Sequence, residues 1–591
     1  MPKRWIHAIV LSGISAGVLA AANGYIVHNL VSDIPGLADH LDKNLVNPWG
    51  NAFGATSPFW VGNNHSGTST LYDGTGTPLS LVVDVPAPGG SGATGAVTGV
   101  IYNNTTKFVF GSAQKAAVFM FCSEDGTITA WSPGSTAATT VVDNSAAQAN
   151  YKGCALGGTS DAPLIYAANF RSGKVDVFDG TFQPASTPGT FVDATIPSNF
   201  APFNVAVLGG KVYVAYAVPD SDKADDVPGA GNGYVSVFDL NGTLQSHLIA
   251  AGPLNSPWGL TIAPASFGSY GGALLVGNFG DGMINAFDAN TGHQMGTLFD
   301  TEGAPVQIPG LWSLNFGNGS RSDAATLYFT AGIPGPYGES PESHGLFGSV
   351  QPSPAFAADA VLNAAAATAP IGPNTFIYIT GGALSATTRN WDAGDFVNNK
   401  LPTSLDGVTV TVNGEPAYVS YVSPMQVNAL LPTDLVAGPV QVQVSSNGLV
   451  SQTQTVTLQT AGPAFFTYTG GKYVAATHAN GTYLAPVGLI NGLTSTPAQA
   501  GETIVLYANG FGATEAAIPN GQVITTPINL AVKPTVTIGG SSAEVTFAGL
   551  TAAGLYQVNV VVPQGLSSGD NAITAEVNGV ATQGNLLLPI Q

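Results

Sequence analysis

The chain has 591 residues, 75 of them Gly and 40 Pro, and its 15 Lys and Arg stand against 35 Asp and Glu for a net charge of −20. So much Gly and Pro excludes long helices, and so few cations exclude a face that neutralises nucleic-acid phosphates. Only 8% of residues are charged but 45% are hydrophobic, which excludes a disordered chain and predicts roughly two to four domains at this length.

At the N-terminus, Lys3 and Arg4 precede an apolar run from Ile6 to Ala20 and the small residues Ala20, Ala21 and Ala22. That is the order of a secretory signal peptide, residues 1–22, cut before Asn23. The run is short for a membrane span, which needs about 20 residues; an uncleaved anchor is the alternative. Loss of Lys3 and Arg4 leaves 13 basic residues against 35 acidic, a balance of −22. The mature product is therefore expected to be exported, secreted or at the cell surface, with no later transmembrane segment. Cys122 and Cys154 lie in apolar, strand-like runs. Export permits a disulfide between them, and two buried free thiols are the alternative.

Next comes a repeat. Pro48-Trp49-Gly50 recurs as Pro257-Trp258-Gly259 and, more weakly, as Leu311-Trp312-Ser313, with Val97-Thr98-Gly99, Tyr151-Lys152-Gly153 and Pro202-Phe203-Asn204 between them. The last residues of these triplets step by 49, 54, 51, 55 and 54. A second phase runs with the first, in strands that end Leu71-Tyr72-Asp73, Val177-Phe178-Asp179, Val237-Phe238-Asp239 and Ala286-Phe287-Asp288. Six strand-rich units of roughly 50 residues predict an all-β, six-bladed β-propeller over residues 23–352. The sixth unit runs out of strands near Val350, while Tyr25 to Val31 is an unassigned strand. It is expected to supply the outer strand of the last blade and close the ring.

Residues 353–370 are Ala- and Pro-rich and read as a linker, with a sheet edge as the alternative. Beyond them, Gln426-Val427-Asn428, Pro432, Gly438 and Asn447-Gly448 recur as Gln557-Val558-Asn559, Pro563, Gly569 and Asn578-Gly579, always 131 residues later. Short alternating strands with regular turns predict two immunoglobulin-like sandwiches, residues 371–465 and 466–591.

These stretches resemble known families. Asn47-Pro48-Trp49-Gly50, Glu124-Asp125-Gly126-Thr127-Ile128, Tyr166 to Arg171, Asn255 to Gly259, Gly277 to Gly282 and Ser343 to Gly348 are similar to an uncharacterised secreted bacterial propeller family related to NHL-type propellers. The Gln-Val-Asn and Val-Pro signatures are similar to IPT/TIG modules. The resemblance implies fold and export, and no chemistry.

Three sets of residues are candidates for function. Asp220, Asp222, Asp225 and Asp226 crowd one loop, a density of carboxylates that suits Ca²⁺; a solvated acidic loop is the alternative. Asn63, Asn64, Glu124, Asp125, Asn169, Asn278 and Asp281 follow the second strands of successive units, with Lys152 and Arg171 at the same level. Blade symmetry would gather these around the channel mouth as a ligand-binding ring, unless Asn and Asp merely build the turns. Glu339, Glu342 and His344 share the last loop and form a possible base or ligand set. Gly565-Leu566-Ser567-Ser568-Gly569 fits a nucleophile elbow by pattern, but a strand follows it where a helix is needed. The favoured reading is a non-enzymatic exported binding protein with an extracellular protein or glycan ligand. The alternatives are a metal-dependent propeller hydrolase or lyase, which requires Glu124, Asp125, Asn169, Asp220 and Asn278 to converge, and a structural cell-surface component.

Overall fold

The computed structural model describes residues 23–90, 93–468 and 471–591; the expected signal peptide lies outside the described residues. The chain forms two units, Gly24–Pro352 and Ser353–Gln591 with Asn23.

Among the described residues of the first unit, the chain lays down six mainly antiparallel sheets of three or more strands in succession. Their innermost strands are Pro48–Ala52, Val97–Tyr102, Tyr151–Gly158, Ala201–Leu208, Pro257–Ile262 and Leu311–Phe316. Each innermost strand packs on the next, and the sixth packs on the first, so the sheets form a closed, propeller-like ring. The small residue of the repeated triplet marks the close approach. A Cβ on Gly50 would stand 2.5 Å from the Thr98 carbonyl oxygen, and one on Gly99 would stand 2.6 Å from Cys154 Sγ. The aromatic-Asp endings have a local cause. Tyr72, Phe178, Phe238 and Phe287 are buried between sheets, while Asp73, Asp179 and Asp239 each accept two backbone N–H groups of the following turn.

The ring closes as the sequence leads one to expect. Tyr25–Ser32 pairs antiparallel with His344–Pro352, from Tyr25 opposite Pro352 to Ser32 opposite Leu346. Cys122 and Cys154 form a disulfide that ties the second sheet to the third. The bore of the ring is a cavity of about 280 Å³ walled by Asn51, Val100, Ala155, Val205, Leu260 and Leu314.

The second unit builds two hydrophobic cores, one running from Phe356 to Leu458 and one from Phe465 to Ile590. In the first, the sheet Val361–Asn363, Phe376–Thr380, Gln426–Leu430, Tyr418–Ser423 and Arg389–Asn390 faces a sheet built on Val408–Val412 and Gly438–Ser446. Residues 353–370 are therefore no spacer: Val361–Asn363 pairs with Phe376–Thr380, and Phe356 and Val361 are buried in the first core. Their apolar side chains need that cover more than their Ala/Pro-rich surroundings need freedom. The module border also moves, because Ala464–Phe465 pairs with Thr503–Asn509 of the second core.

The repeat at an offset of 131 is a repeat of contacts. Gln426 donates to Asn428 Oδ1 at 2.7 Å and Gln557 to Asn559 Oδ1 at 2.9 Å, each pair two residues apart on one strand face. Asn447-Gly448 and Asn578-Gly579 all have positive φ, the backbone of a tight hairpin turn. Asn509 clamps the two modules together, accepting from Phe376 N at 2.9 Å and donating to Phe376 O at 2.8 Å. Among the described residues no helix is long and apolar enough to cross a membrane.

Candidate functional site

Antiparallel pairing decides which loops meet. In each sheet the end of the second strand lies beside the start of the first: Pro48 opposite Asn63, Val97 opposite Ser123, Tyr151 opposite Asn169, Ala201 opposite Ala217, Pro257 opposite Asn278 and Leu311 opposite Ala331. The six loops after these second strands therefore gather at one rim of the ring. Two are long, residues 218–233 and 334–343, and they carry Asp225, Asp226 and Glu342 inward.

The floor under this rim is aromatic. Trp49 and Trp312 stack with ring centroids 3.5 Å apart, Phe279 stacks on Trp312 at 4.0 Å, and Trp258 meets Trp49 edge-on at 6.4 Å. The floor also holds the polar layer above it. Trp312 Nε1 donates to Asn47 Oδ1 at 3.2 Å, and Trp258 Nε1 donates to the Lys152 carbonyl at 2.9 Å.

Lys152 is the centre of that layer. Its side chain is 1% exposed, its Nζ pairs with Glu124 and, at 2.8 Å, with Asp225, and it lies 5.1 Å from the Trp49 ring centroid. Burial alone would lower the Lys152 pKa; the two carboxylates outweigh it and hold the ammonium above its ordinary value. Asn64 donates to Glu124 Oε2 at 2.8 Å. On the other side, Asn47 Nδ2 donates to Glu342 Oε1 at 2.9 Å and lies 3.4 Å from His65 Nε2. Glu342 sits at φ +70°, a left-handed backbone that costs a non-glycine residue about 1–3 kcal/mol and concentrates at functional sites. Burial pushes the Glu342 carboxyl up to about 7, with Glu124 and Asp225 adding to the rise and Asn47 opposing it. Burial also pushes Asp226 up to about 6, against the opposing pull of Ser256 and Lys152.

The ring of residues expected from sequence divides. Glu124 and Lys152 meet at the rim. Asn63, Asn169 and Asp281 bond within their own hairpins, whereas Asn278 and Asp125 bond the segments that enter their sheets: Asn63 donates to Thr68 and Thr70, Asn169 to Asp176, and Asn278 to Pro253 O. Asp281 accepts from Met283 N, and Asp125 accepts from Ala96 N. Arg171 has no ion pair among the described residues. Glu124, Asp125, Asn169, Asp220 and Asn278 thus have separate partners, so among the described residues these five do not converge as a channel metal would require.

The four aspartates also part company. Asp220 caps Ala224 N at 2.9 Å, Asp225 pairs with Lys152, Asp226 turns inward beside Ser256, and Asp222 stays on an exposed loop. Among the described residues no three His, Cys, Asp or Glu side chains are placed to hold a metal ion. The last-loop set separates likewise: His344 bonds Asp33 at 2.7 Å, Glu339 caps Tyr337 N, and Glu342 alone reaches the rim. Asn47 and His65 escaped the sequence reading. The signal for Asn47 was available, because it precedes Pro-Trp-Gly as Ser256 does, and both have positive φ.

Comparison with known proteins adds relatives. Residues 365–461 match the IPT/TIG domain. An uncharacterized protein of Acanthamoeba polyphaga mimivirus is 34% identical over 331 residues, 54% of this chain and 79% of the viral protein. A second from the same virus is 32% identical over 325 residues, 52% of this chain and 81% of its own length. These relatives are viral, where the sequence reading expected a bacterial family. Among solved structures, virginiamycin B lyase from Staphylococcus aureus (TM-score 0.32, 10% identity, 55% of this chain and 99% of that one) is similar. So is a Bacteroides thetaiotaomicron protein of unknown function (TM-score 0.36, 10% identity, 56% and 76%). Likenesses this distant say nothing about activity.

Proposed function

Because this chain belongs to the family of those two uncharacterized mimivirus proteins and carries an IPT/TIG domain, we propose that it is an exported binding protein whose ligand seats at the rim of the ring. In this reading the six sheets are the blades of a six-bladed propeller, and the IPT/TIG-like sandwiches add contact surface for a protein or glycan partner. The observation that carries it is the preorganised rim. Loops of separate sheets deliver Asn64, Glu124, Asp225 and Glu342 over a packed aromatic floor, and Lys152 is held rigid between two carboxylates. Convergent polar groups above an apolar floor are the usual make-up of a ligand site.

The test is to probe protein and glycan arrays with the intact chain and with Asp225→Trp, which places a bulky ring at the exposed edge of the rim. Ligands held by the intact chain and lost by the variant are expected. Ligands held equally by both would move the site elsewhere, and an empty pair of arrays would refute a binding role.

A further inference from the structure

The rim's unfinished hydrogen bonding says what its ligand must bring. Asn150, 8% exposed, holds the Ala224 carbonyl with its Nδ2 at 3.1 Å, yet its Oδ1 has no donor. Two residues along the same loop, Asp226 Oδ2 is buried facing the fully buried hydroxyl of Ser256, whose donation is the one side-chain hydrogen bond that opposes its raised pKa. Asn278 Oδ1 is also buried without a partner, but so is Asn63 Oδ1 at the equivalent strand end, so that open acceptor belongs to the repeated turn. Buried polar groups are ordinarily satisfied, so an acceptor left open near such a carboxyl marks where a donor-bearing group belongs. Charge points the same way. Glu124, Asp225, Asp226 and Glu342 face a single ammonium, that of Lys152. An anion would find one open donor, Trp49 Nε1, among acceptors and like charge, and among the described residues a bare metal ion would find no three His, Cys, Asp or Glu side chains in place.

Lys152 is itself the precedent for what fits. Its four-carbon arm crosses the aromatic floor and sets the ammonium between two carboxylates. A second arm of the same kind offers three N–H donors and no acceptor. We infer that the rim takes a lysyl ammonium of a partner protein, seated on Glu342 and Asp226 beside the place already filled by Lys152. This rests on the rim being the binding site. It goes further in naming the group recognised.

The experiment is calorimetric titration of the full chain at pH 8 with tetralysine, with its fully Nε-acetylated counterpart, and with a glucosamine tetramer. Tetralysine is expected to bind, and acetylation to abolish binding. Glu342→Gln and Asp226→Asn are each expected to weaken it about tenfold, the loss typical of one charge-assisted hydrogen bond. Both variants keep the shape of the side chain, and a melting curve for each separates lost binding from lost folding. Equal binding of the acetylated peptide, or unchanged affinity in both variants, would overturn the inference. Binding of the glucosamine tetramer without tetralysine would also overturn it, in favour of an amino-sugar ligand. If tetralysine fails while array ligands remain sensitive to Asp225→Trp, the lysyl assignment falls and the binding role stands. If both fail, both readings fall.

Discussion

Replacement of Glu342 by Gln isolates the cost of keeping a carboxyl at the rim. Gln keeps the oxygen that accepts from Asn47 at 2.9 Å and removes only the charge. Burial lifts the Glu342 pKa from 4.5 to about 7, a difference of about 2.5, and each pKa step is worth about 1.36 kcal/mol. The sign follows from linkage. A carboxyl whose folded pKa is raised contributes stability below about pH 4.5 and loses it as pH climbs through about 7. At pH 8 the native protein therefore carries a penalty of about 3 kcal/mol that the Gln variant escapes. With an unfolding entropy near 2.1 cal/mol/K per residue, Gly24–Pro352 should melt about 5 °C higher in the variant at pH 8. At pH 4 the two should melt together. Calorimetric scans of both proteins at the two pH values decide the matter. The same melting difference at pH 4 and pH 8, or a less stable variant at pH 8, would refute the account of Glu342 as a carboxyl buried against its own charge.

Other parts of the ring yield further expectations. Gly99→Ala places a methyl 2.6 Å from Cys154 Sγ and 2.8 Å from Cys154 N, so it should cost about 1–3 kcal/mol by overpacking, read from the denaturation midpoint. Replacement of both Cys122 and Cys154 by Ser opens a crosslink across 32 residues and should cost about 4 kcal/mol on the loop-entropy estimate; an unchanged melting temperature would contradict it. Lys152→Met strands Glu124 and Asp225, but Asp225 is already 74% exposed and can turn to water. The loss should stay near 1–3 kcal/mol, below the full cost of breaking a buried pair, and chemical denaturation would measure it. A chain starting after Ser32 lacks the strand that pairs with His344–Pro352 and leaves a sheet edge open. Size-exclusion chromatography should show it aggregated, and a well-behaved monomer would argue against closure by that strand.

Much of the fold was legible because it is written in local terms. A triplet ending in a small residue every 50 or so positions reports a close approach that recurs in each sheet, and the aromatic-Asp endings report a buried ring followed by a turn. Even the closing strand could be found, since the sixth unit lacked an edge and Tyr25 to Val31 lacked a partner. The duplicated Gln-Val-Asn strands were visible for the same reason: Gln426 bonds Asn428 and Gln557 bonds Asn559 within a single strand.

The rim was legible only in part. Asn63, Asn169 and Asn278 stand at equivalent positions, but that equivalence reflects the shared turn: Asn63 and Asn169 bond across their own hairpins, and Asn278 bonds the Pro253 carbonyl ahead of its sheet. What gathers Glu124, Lys152, Asp225 and Glu342 is closure of the ring, which brings together side chains as far apart as positions 124 and 342. The aspartates of the fourth-sheet loop look alike in sequence, and only the direction each carboxyl takes after folding separates Asp225, on an ammonium, from Asp226, in the interior. Sequence determined the elements and their order, because turns and close approaches depend on neighbours along the chain. Tertiary structure decided which charges face one another, because that depends on where six separate loops end in space.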